Sequence, residues 1–148
     1  MKRIVPSQDA VAALIPQVTE SWMTVESLTD AFTNGDALYV GTIDVIIAFV
    51  LITPVTDNNG FEQVKYLWVH PDSRGQSLAE TLLRQILFNK RRSNILVLVP
   101  PSNQLCKLVP KFGFEEVVDW VEQRNRSKMF PGESSKNKLF WKTPGTKS

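Results

Sequence analysis

The feature that most constrains the fold is a change of hydrophobic period in the middle of the chain. Phe61–Val69 is predicted to be a β-strand that ends at His70–Asp72, because proline cannot donate to a ladder of backbone hydrogen bonds. Apolar residues then recur at helical spacing from near Gly75 to Asn89, and the next apolar run, Ile95–Val99, has the length of a buried strand. A strand, a helix and a second strand in this order predict a β-α-β unit with parallel strands.

Shorter patterns on both sides of this unit complete the element order. Before it we expect an opening strand at Lys2–Pro6 and a helix that is capped by Ser7 and interrupted by Pro16. A second helix over Val25–Phe32 has Thr24 or Ser27 near its start. A hairpin over Ala37–Thr53 and a turn at Asp57–Gly60 follow. After it we expect a helix and two strands, at Pro101–Lys111, Phe114–Val121 and Lys138–Lys142. The order predicts an α+β fold with a mixed, mostly antiparallel twisted sheet and flanking helices.

Size and composition indicate one globular domain. The chain has 148 residues, of which 43% are hydrophobic and 22% charged, and we predict a single domain over residues 1–143 with a flexible tail at 144–148. The longest apolar stretch has strand length, so no membrane span is expected, and the first residues carry no apolar signal core. One cysteine and one histidine are too few for an internal disulfide or a structural zinc site. We therefore expect a cytoplasmic protein without a metal.

The charge balance gives little support to a nucleic-acid partner. Lys and Arg outnumber Asp and Glu only 17 to 15, which gives a net charge of +2. The second half is locally positive between Arg124 and Lys138, with the aromatic residues Phe130, Phe140 and Trp141 nearby. A nucleic-acid-acting protein is therefore kept only as a second alternative.

The connection between the first strand and the helix of the β-α-β unit has the composition of an anion-binding turn. The small residues Gly75, Ser77 and Ala79 occupy alternate positions where a helix begins. The amide protons of a first helical turn have no partner within the helix and lie at the positive end of its dipole, so they bind phosphate oxygens. Neither the Gly-Lys-Ser/Thr of a P-loop nor a Gly-x-Gly-x-x-Gly motif is present.

This turn resembles the coenzyme A motif of the Gcn5-related N-acetyltransferases (GNAT), which is Arg or Gln, two residues, Gly, one residue, then Gly or Ala, after a strand ending in Val-x-Pro. Arg74, Ser77 and Ala79 fill the three positions, and Ser77 stands where Gly is usual. A later stretch, Ser102–Phe114, is similar to the family's Asn…Leu-Tyr-x-Lys-x-Gly-Phe segment. There Val109 takes the place of the tyrosine that many members use as a general acid.

The resemblance spans about Phe61–Phe114 and implies a GNAT-like fold with a central acyl-CoA-binding β-α-β unit. It implies acetyl-CoA or another acyl-CoA as cofactor, with the thioester in a gap where the strand ending at Val69 splays from Ile95–Val99. Backbone amides at the end of the first strand would polarise the acyl carbonyl, and those of the turn would hold the diphosphate. The cofactor-binding residues so implied are Trp68, Val69, Arg74, Gly75, Gln76, Ser77, Leu78, Ala79, Ser102 and Lys107.

The family mechanism also implies catalytic residues. An amine acceptor must lose a proton, often through water to a carboxylate, and Glu62 is the only acid on the Phe61–Val69 strand. Tyr66 and His70 are candidates to assist, although an acid at Glu62 could equally be solvated and His70 could cap the strand end before Pro71. These alternatives stay open at the level of sequence.

Three functions follow from the resemblance. The first is an acyl-CoA-dependent N-acyltransferase that acts on an amine of a small molecule or a protein, and the first rival is a catalytically inactive GNAT-like binding or structural protein. Ser77, Val109 and the lone Glu62 favour that rival. Expected partners are the coenzyme A thioester and an amine acceptor, and a homodimer is left open.

Overall fold

The computed structural model describes residues 5–18, 23–54, 61–74, 77–99, 105–117 and 138–142. The helices of these ranges are α1 (Gln8–Leu14), α2 (Val25–Asn34), α3 (Leu78–Asn89) and α4 (Leu105–Leu108). The strands are β1 (Ala37–Thr42), β2 (Val45–Pro54), β3 (Phe61–Val69), β4 (Asn94–Val99), β5 (Glu115–Glu116) and β6 (Lys138–Lys142). Short 3-10 segments follow α1, β3 and α4, at Ile15–Gln17, Pro71–Ser73 and Val109–Phe112.

The six strands form one sheet in the order β1-β2-β3-β4-β6-β5. β3 and β4 are parallel and pair Phe61–Gln63 with Asn94–Leu96, as expected for strands joined by the crossover helix α3. The pairs β1–β2, β4–β6 and β5–β6 are antiparallel. The predicted α+β class, with a mostly antiparallel sheet and a central parallel β-α-β unit, is confirmed.

Two compact units divide the chain. The first lies within Met1–Ile52 and Tyr66–Asn89, and the second within Thr53–Lys65 and Lys90–Ser148. β3 contributes residues to each of them. The single domain over residues 1–143 stays a prediction.

The first unit contains an aromatic core between its helices and its strands. Phe49 of β2 is fully buried, stacks on Tyr66 with ring centroids 5.7 Å apart and packs against Trp68 at 6.1 Å. Phe32 of α2 packs against Phe49 at 6.3 Å and meets the ring of Tyr39 edge-on at 5.5 Å. Two residues of β3 belong to this cluster, Trp68 as a buried member and Tyr66 as a partly buried one.

The helices of the first unit begin at the caps that the sequence predicts. The Ser7 hydroxyl accepts a hydrogen bond from the Ala10 N–H at 3.2 Å, which confirms Ser7 as the cap of α1. Thr24 and Ser27 form a reciprocal capping box at the start of α2, with both bonds at 3.0 Å. Pro16 ends α1 after Leu14 and continues the chain as a 3-10 turn, because proline has no amide proton for an α-helical bond.

The second unit has a smaller apolar cluster. Its buried members come from β4, the segment after β5, and β6: Leu96, Leu98, Val117 and Leu139. Phe61 of β3 and Trp141 of β6 pack against them. The last strand in the chain, β6, lies between β4 and β5 in the sheet.

Several predicted bounds were wrong. Helix α3 begins at Leu78 rather than near Gly75, because Ser77 has a left-handed backbone that an α-helix cannot include. The helix expected up to Lys111 ends as an α-helix at Leu108 and tightens into a 3-10 turn at Pro110. Of the strand expected over Phe114–Val121, the described residues 114–117 contain only β5.

Other predictions fall partly or wholly outside the described residues. Val5 and Pro6 do not belong to a strand, in keeping with the missing amide of Pro6, and the rest of the predicted opening strand lies outside the described ranges. The turn Asp57–Gly60 and residues 101–104 and 118–121 also lie outside them. No helix in the described ranges is long and apolar enough to cross a membrane.

Candidate cofactor-binding site

The carboxyl end of β3 is fixed by packing and by a backbone hydrogen bond. Trp68 is buried against the core of the first unit. The His70 N–H donates to the carbonyl of Ile47 in β2 at 2.7 Å. The strand therefore ends at a defined place, which positions the turn that follows.

A short 3-10 turn over Pro71–Ser73 follows the strand. The Nδ1 atom of His70 accepts a hydrogen bond from the Asp72 N–H at 3.1 Å, and the His70 carbonyl accepts one from the Ser73 N–H at 2.9 Å. The His70 ring meets Trp68 edge-on, with centroids 5.9 Å apart. The alternative that His70 caps the end of the strand agrees with this geometry.

The same hydrogen bond defines the tautomer of His70. A nitrogen that accepts from an N–H carries no proton, so in the neutral ring the proton lies on Nε2. A carboxylate oxygen of Asp72 lies 3.8 Å from Nδ1. This contact is not an ion pair while Nδ1 is the acceptor, because the ring is then uncharged.

Arg74 folds back over the turn. Its backbone is extended, with φ −67° and ψ 148°, and its Nε donates to the carbonyl of Val69 at 3.3 Å. A guanidinium group carries five N–H donors, of which this bond uses one. Gly75 and Gln76, the next two residues of the predicted motif, lie outside the described residues.

Ser77 opens α3 in a left-handed conformation. Its φ of 59° is the single positive value among the described residues other than glycine. Its carbonyl accepts hydrogen bonds from the N–H and the hydroxyl of Thr81, both at 3.0 Å. The amides of Leu78, Ala79 and Glu80 precede this first bond, and helix geometry leaves them without a partner inside the helix.

The backbone of Ser77 has a conformation that favours glycine, the usual residue of the motif at this position. Glycine adopts a left-handed conformation at no steric cost, whereas an L-residue there costs on the order of 1 kcal/mol. Ser77 adopts the glycine-like conformation without being glycine. The backbone at this position would therefore suit the glycine that the motif usually has.

One charged pair lies at the start of α3. Glu80 is in the first turn, and its carboxylate lies 3.9 Å from the guanidinium of Arg84. A carboxylate interacts favourably with the positive end of the helix dipole but repels an anionic ligand there. Arg84 offsets part of that repulsion.

Glu62, the predicted base, lies in the second unit. Its Oε1 accepts a hydrogen bond from Nζ of Lys90 at 3.2 Å, and both side chains are about four-fifths buried, with 20% and 21% of their surface exposed. The ion pair therefore occupies one carboxylate oxygen. Sequence reasoning missed Lys90, because no local pattern relates two residues 28 positions apart.

The predicted second motif ends differently from the family pattern. Val109, at the tyrosine position, is fully buried, and Pro110 is part of a 3-10 turn that Gly113 ends with φ 90°. Lys107 is exposed on α4, whereas Ser102 lies outside the described residues. Cys106 is half-buried, and burial raises the pKa of its thiol.

The predicted site residues therefore fall into two groups. The first unit contains the strand end, the turn and the start of the helix, and with them Tyr66, Trp68, Val69, His70, Arg74, Ser77, Leu78 and Ala79. The second unit contains Glu62 and Lys107. The described residues include no cluster of three or more His, Cys, Asp or Glu that could hold a metal ion.

The family model for the acetyltransferase (GNAT) domain matches residues 34–116. The match covers more than half of the chain and includes the strand end, the turn and α3. The chain belongs to the GNAT acetyltransferase family, as the motif resemblance predicted. Comparison with curated protein sequences found no match.

Solved structures of GNAT acetyltransferases have the same fold. Naa50 of Arabidopsis thaliana, in complex with the bisubstrate analogue CoA-Ac-MVNAL, is 17% identical with a TM-score of 0.62, over 94% of this chain and 95% of that one. Diaminobutyrate acetyltransferase EctA of Paenibacillus lautus, in complex with L-2,4-diaminobutyric acid and coenzyme A, is 15% identical with a TM-score of 0.65, over 97% and 95%. Ard1 of Thermoplasma volcanium is 13% identical with a TM-score of 0.64, over 95% of each chain.

Proposed function

We propose that this protein binds an acyl-CoA, such as acetyl-CoA, at the turn between β3 and α3 and transfers the acyl group to an amine. The observation that carries the proposal is the left-handed backbone of Ser77, which starts α3 directly after the motif turn. Amides of a first helical turn bind phosphate oxygens because they combine free donors with the positive end of the dipole. Family membership supports the same reading.

The cofactor would contact mainly backbone groups. Amides of the segment from Gly75 to Ala79 would hold the diphosphate, with the guanidinium of Arg74 as an added cation. Amides of Trp68 and Val69 would polarise the carbonyl of the thioester, and Ser102 and Lys107 are further candidates for cofactor contacts. Such contacts need a defined backbone path more than particular side chains.

The reaction requires little of the protein beyond orientation. The amine nitrogen attacks the thioester carbonyl, a C–N bond forms, the C–S bond breaks and the thiolate leaves, while the amine loses a proton. Glu62, through water, is the proposed proton acceptor, and Tyr66 and His70 are proposed to assist. With Val109 in place of the tyrosine, the departing thiolate takes its proton from solvent.

The acceptor class is an amine of a small molecule or of a protein. Naa50 was solved with a peptide-bearing bisubstrate analogue and EctA with a diamino acid, so the same fold serves both kinds of acceptor. A panel of peptides with free N-termini and of small diamines separates the two classes. Thiol release above the rate without acceptor identifies the substrate class.

The decisive experiment is calorimetric titration of the full chain with acetyl-CoA, followed by a thiol-release assay. Binding with a dissociation constant between about 1 μM and 1 mM, the usual range for enzyme substrates, is expected. Coenzyme A without the acyl group should compete, because the diphosphate carries the main contact. Absence of binding at millimolar cofactor contradicts the proposal.

A second candidate function is a GNAT-like binding protein without catalysis. The burial of Val109 and the ion pair between Glu62 and Lys90 favour it. Cofactor binding without thiol release across the acceptor panel identifies this case.

The variants Glu62→Gln and Lys90→Met distinguish a chemical role of the carboxylate from a structural one. If the ion pair is structural, each variant should lower the free energy of unfolding by about 1 kcal/mol. The double variant should then lower it by no more than one single change does. If the Glu62 carboxylate is a base, Glu62→Gln should reduce turnover far more than Lys90→Met does. Denaturant unfolding and the thiol-release assay measure the two effects.

The cellular setting is proposed on composition. A single cysteine is usual for a reducing compartment, which favours the cytoplasm. The homodimer and the nucleic-acid alternative stay predictions, and a steep fall of DNA or RNA affinity with salt would support the latter.

A further inference from the structure

His70 connects the end of β3 to the turn through its backbone and its side chain at once. Its N–H binds Ile47 in β2, and its carbonyl binds the Ser73 N–H. Its Nδ1 accepts from the Asp72 N–H, and its ring packs edge-on against Trp68. All of these partners belong to the first unit, which also contains the candidate cofactor turn.

We propose that His70 is a positioning residue, which through its Nδ1 acceptor fixes the Pro71–Ser73 turn and so directs the backbone into the cofactor-binding segment before α3. The consequence for the cofactor rests on the proposed function, whereas the capping of the turn does not. His70 acts here on the backbone of the protein and needs no contact with the substrate.

The turn needs an acceptor at this position. Pro71 has no N–H, so the first amide that the turn offers is that of Asp72. Asn, Asp, Ser and Thr usually cap such amides with an oxygen close to the main chain. The Nδ1 of histidine is bonded to Cγ, as is the Oδ1 of asparagine, and therefore reaches the same amide.

The role of His70 as a cap of the turn competes with a role as general base. A neutral imidazole has one unprotonated nitrogen, and here that nitrogen accepts from Asp72. Uptake of a proton at Nδ1 breaks the cap, while Nε2 already carries a proton. In this geometry the ring can accept a proton only by releasing the turn, so the assistance proposed for His70 in the reaction is donation through Nε2.

Two variants of the full chain separate the acceptor from the ring. His70→Asn keeps an acceptor for the Asp72 amide and removes the ring, whereas His70→Phe keeps a ring against Trp68 and removes the acceptor. We expect His70→Phe to weaken acetyl-CoA binding about fivefold, the effect of one lost cap, and His70→Asn to stay within about twofold of the wild type. Titration calorimetry measures both.

The amide of Asp72 gives a readout that does not need the cofactor. Its solvent exchange, measured by NMR, should be faster in His70→Phe and close to wild type in His70→Asn. Thr24→Ala is the matched control, because it removes a side-chain cap of similar length, 3.0 Å, from the start of α2. It should lower stability without changing cofactor affinity.

The outcomes separate the proposals. If His70→Asn and His70→Phe lose turnover equally while their affinity for acetyl-CoA is unchanged, the imidazole is catalytic and the positioning role is overturned. Unchanged exchange of the Asp72 amide in His70→Phe overturns the cap itself. If the wild type binds no acetyl-CoA while the exchange results hold, the proposed function and the positioning role fail together and the cap alone stands.

Discussion

The turn after β3 and the helix end after α4 both differ from the family pattern, but they differ in different ways. At the turn, Ser77 stands where the motif usually has glycine, and its backbone has a left-handed conformation, which glycine adopts without steric cost. At the helix end, Val109 replaces tyrosine, and its side chain is fully buried next to a 3-10 turn at Pro110. The first replacement is found with a backbone that suits glycine, while the second removes a hydroxyl.

This difference shows what each region depends on. Amides bind a diphosphate wherever the backbone follows the right path, so a turn with this role would tolerate a small side chain at a modest cost. A general acid is one chemical group, and an aliphatic side chain cannot supply it. The chain therefore has the features of a cofactor-binding protein more fully than those of an acid catalyst.

The largest expected effect is at the turn. Ser77→Trp places a bulky side chain beside the amides of Leu78 and Ala79 and should weaken acetyl-CoA binding by at least about 100-fold, the loss of two hydrogen bonds to a charged group. Calorimetry measures the affinity. Gln85→Trp, at an exposed position of the same helix, is the control and should bind as the wild type does.

Full affinity in Ser77→Trp shows that the cofactor does not use this turn, and the contrast between the two regions then disappears. Loss of affinity in Gln85→Trp as well indicates a general defect of α3.

At the helix end, restoring the family residue should harm the protein. Val109→Tyr inserts a larger, polar side chain into a fully buried position, and overpacking of this kind costs about 1–3 kcal/mol. Denaturant unfolding should show that loss, with no gain in thiol release. The half-buried neighbour Leu108 should accept tyrosine at a smaller cost.

A rise in turnover in Val109→Tyr without loss of stability gives the opposite result. The helix end would then be a site that lost its acid by a single substitution, and the two regions would be equally preserved.

A smaller effect of opposite sign is expected from Ser77→Gly. Glycine removes the cost of the left-handed backbone, so the free energy of unfolding should rise by about 1 kcal/mol and cofactor affinity by a few-fold. Ser77→Ala removes the hydroxyl but keeps Cβ and should give no gain. Equal behaviour of the Gly and Ala variants indicates that the hydroxyl, not the backbone, limits this turn.

The sequence was sufficient to predict elements whose bounds are determined by local chemistry. β3 was predicted with its bounds, because a turn precedes it and a proline follows it, and Pro16 and Thr24 act as predicted. The start of α3 was misplaced by three residues, since serine gives no sign that it adopts a left-handed backbone. Propensity cannot reveal a conformation that tertiary structure imposes against it.

The local structure around the candidate site was predictable to a similar depth. The motif located the turn, and the proline after His70 suggested a cap. The bond of Arg74 to the Val69 carbonyl and the pair of Lys90 with Glu62 depend on the folded path of the chain and could not be read from spacing. The roles of the individual residues in binding and catalysis stay predictions.

The smallest expected effect concerns Cys106, the single cysteine, on α4. Burial is the main cause that raises the pKa of its thiol, Glu116 raises it further, and Lys138 lowers it. Less thiolate is therefore present near neutral pH than in an exposed cysteine, and the folded protein should react with a disulfide reagent more slowly than the same chain unfolded in urea. The rate should increase as the pH rises, because the thiolate is the reacting form. Equal rates for the folded and the unfolded protein contradict this prediction. They also mean that reagents reach α4 freely. The helix end would then differ from the turn in its accessibility rather than in its chemistry.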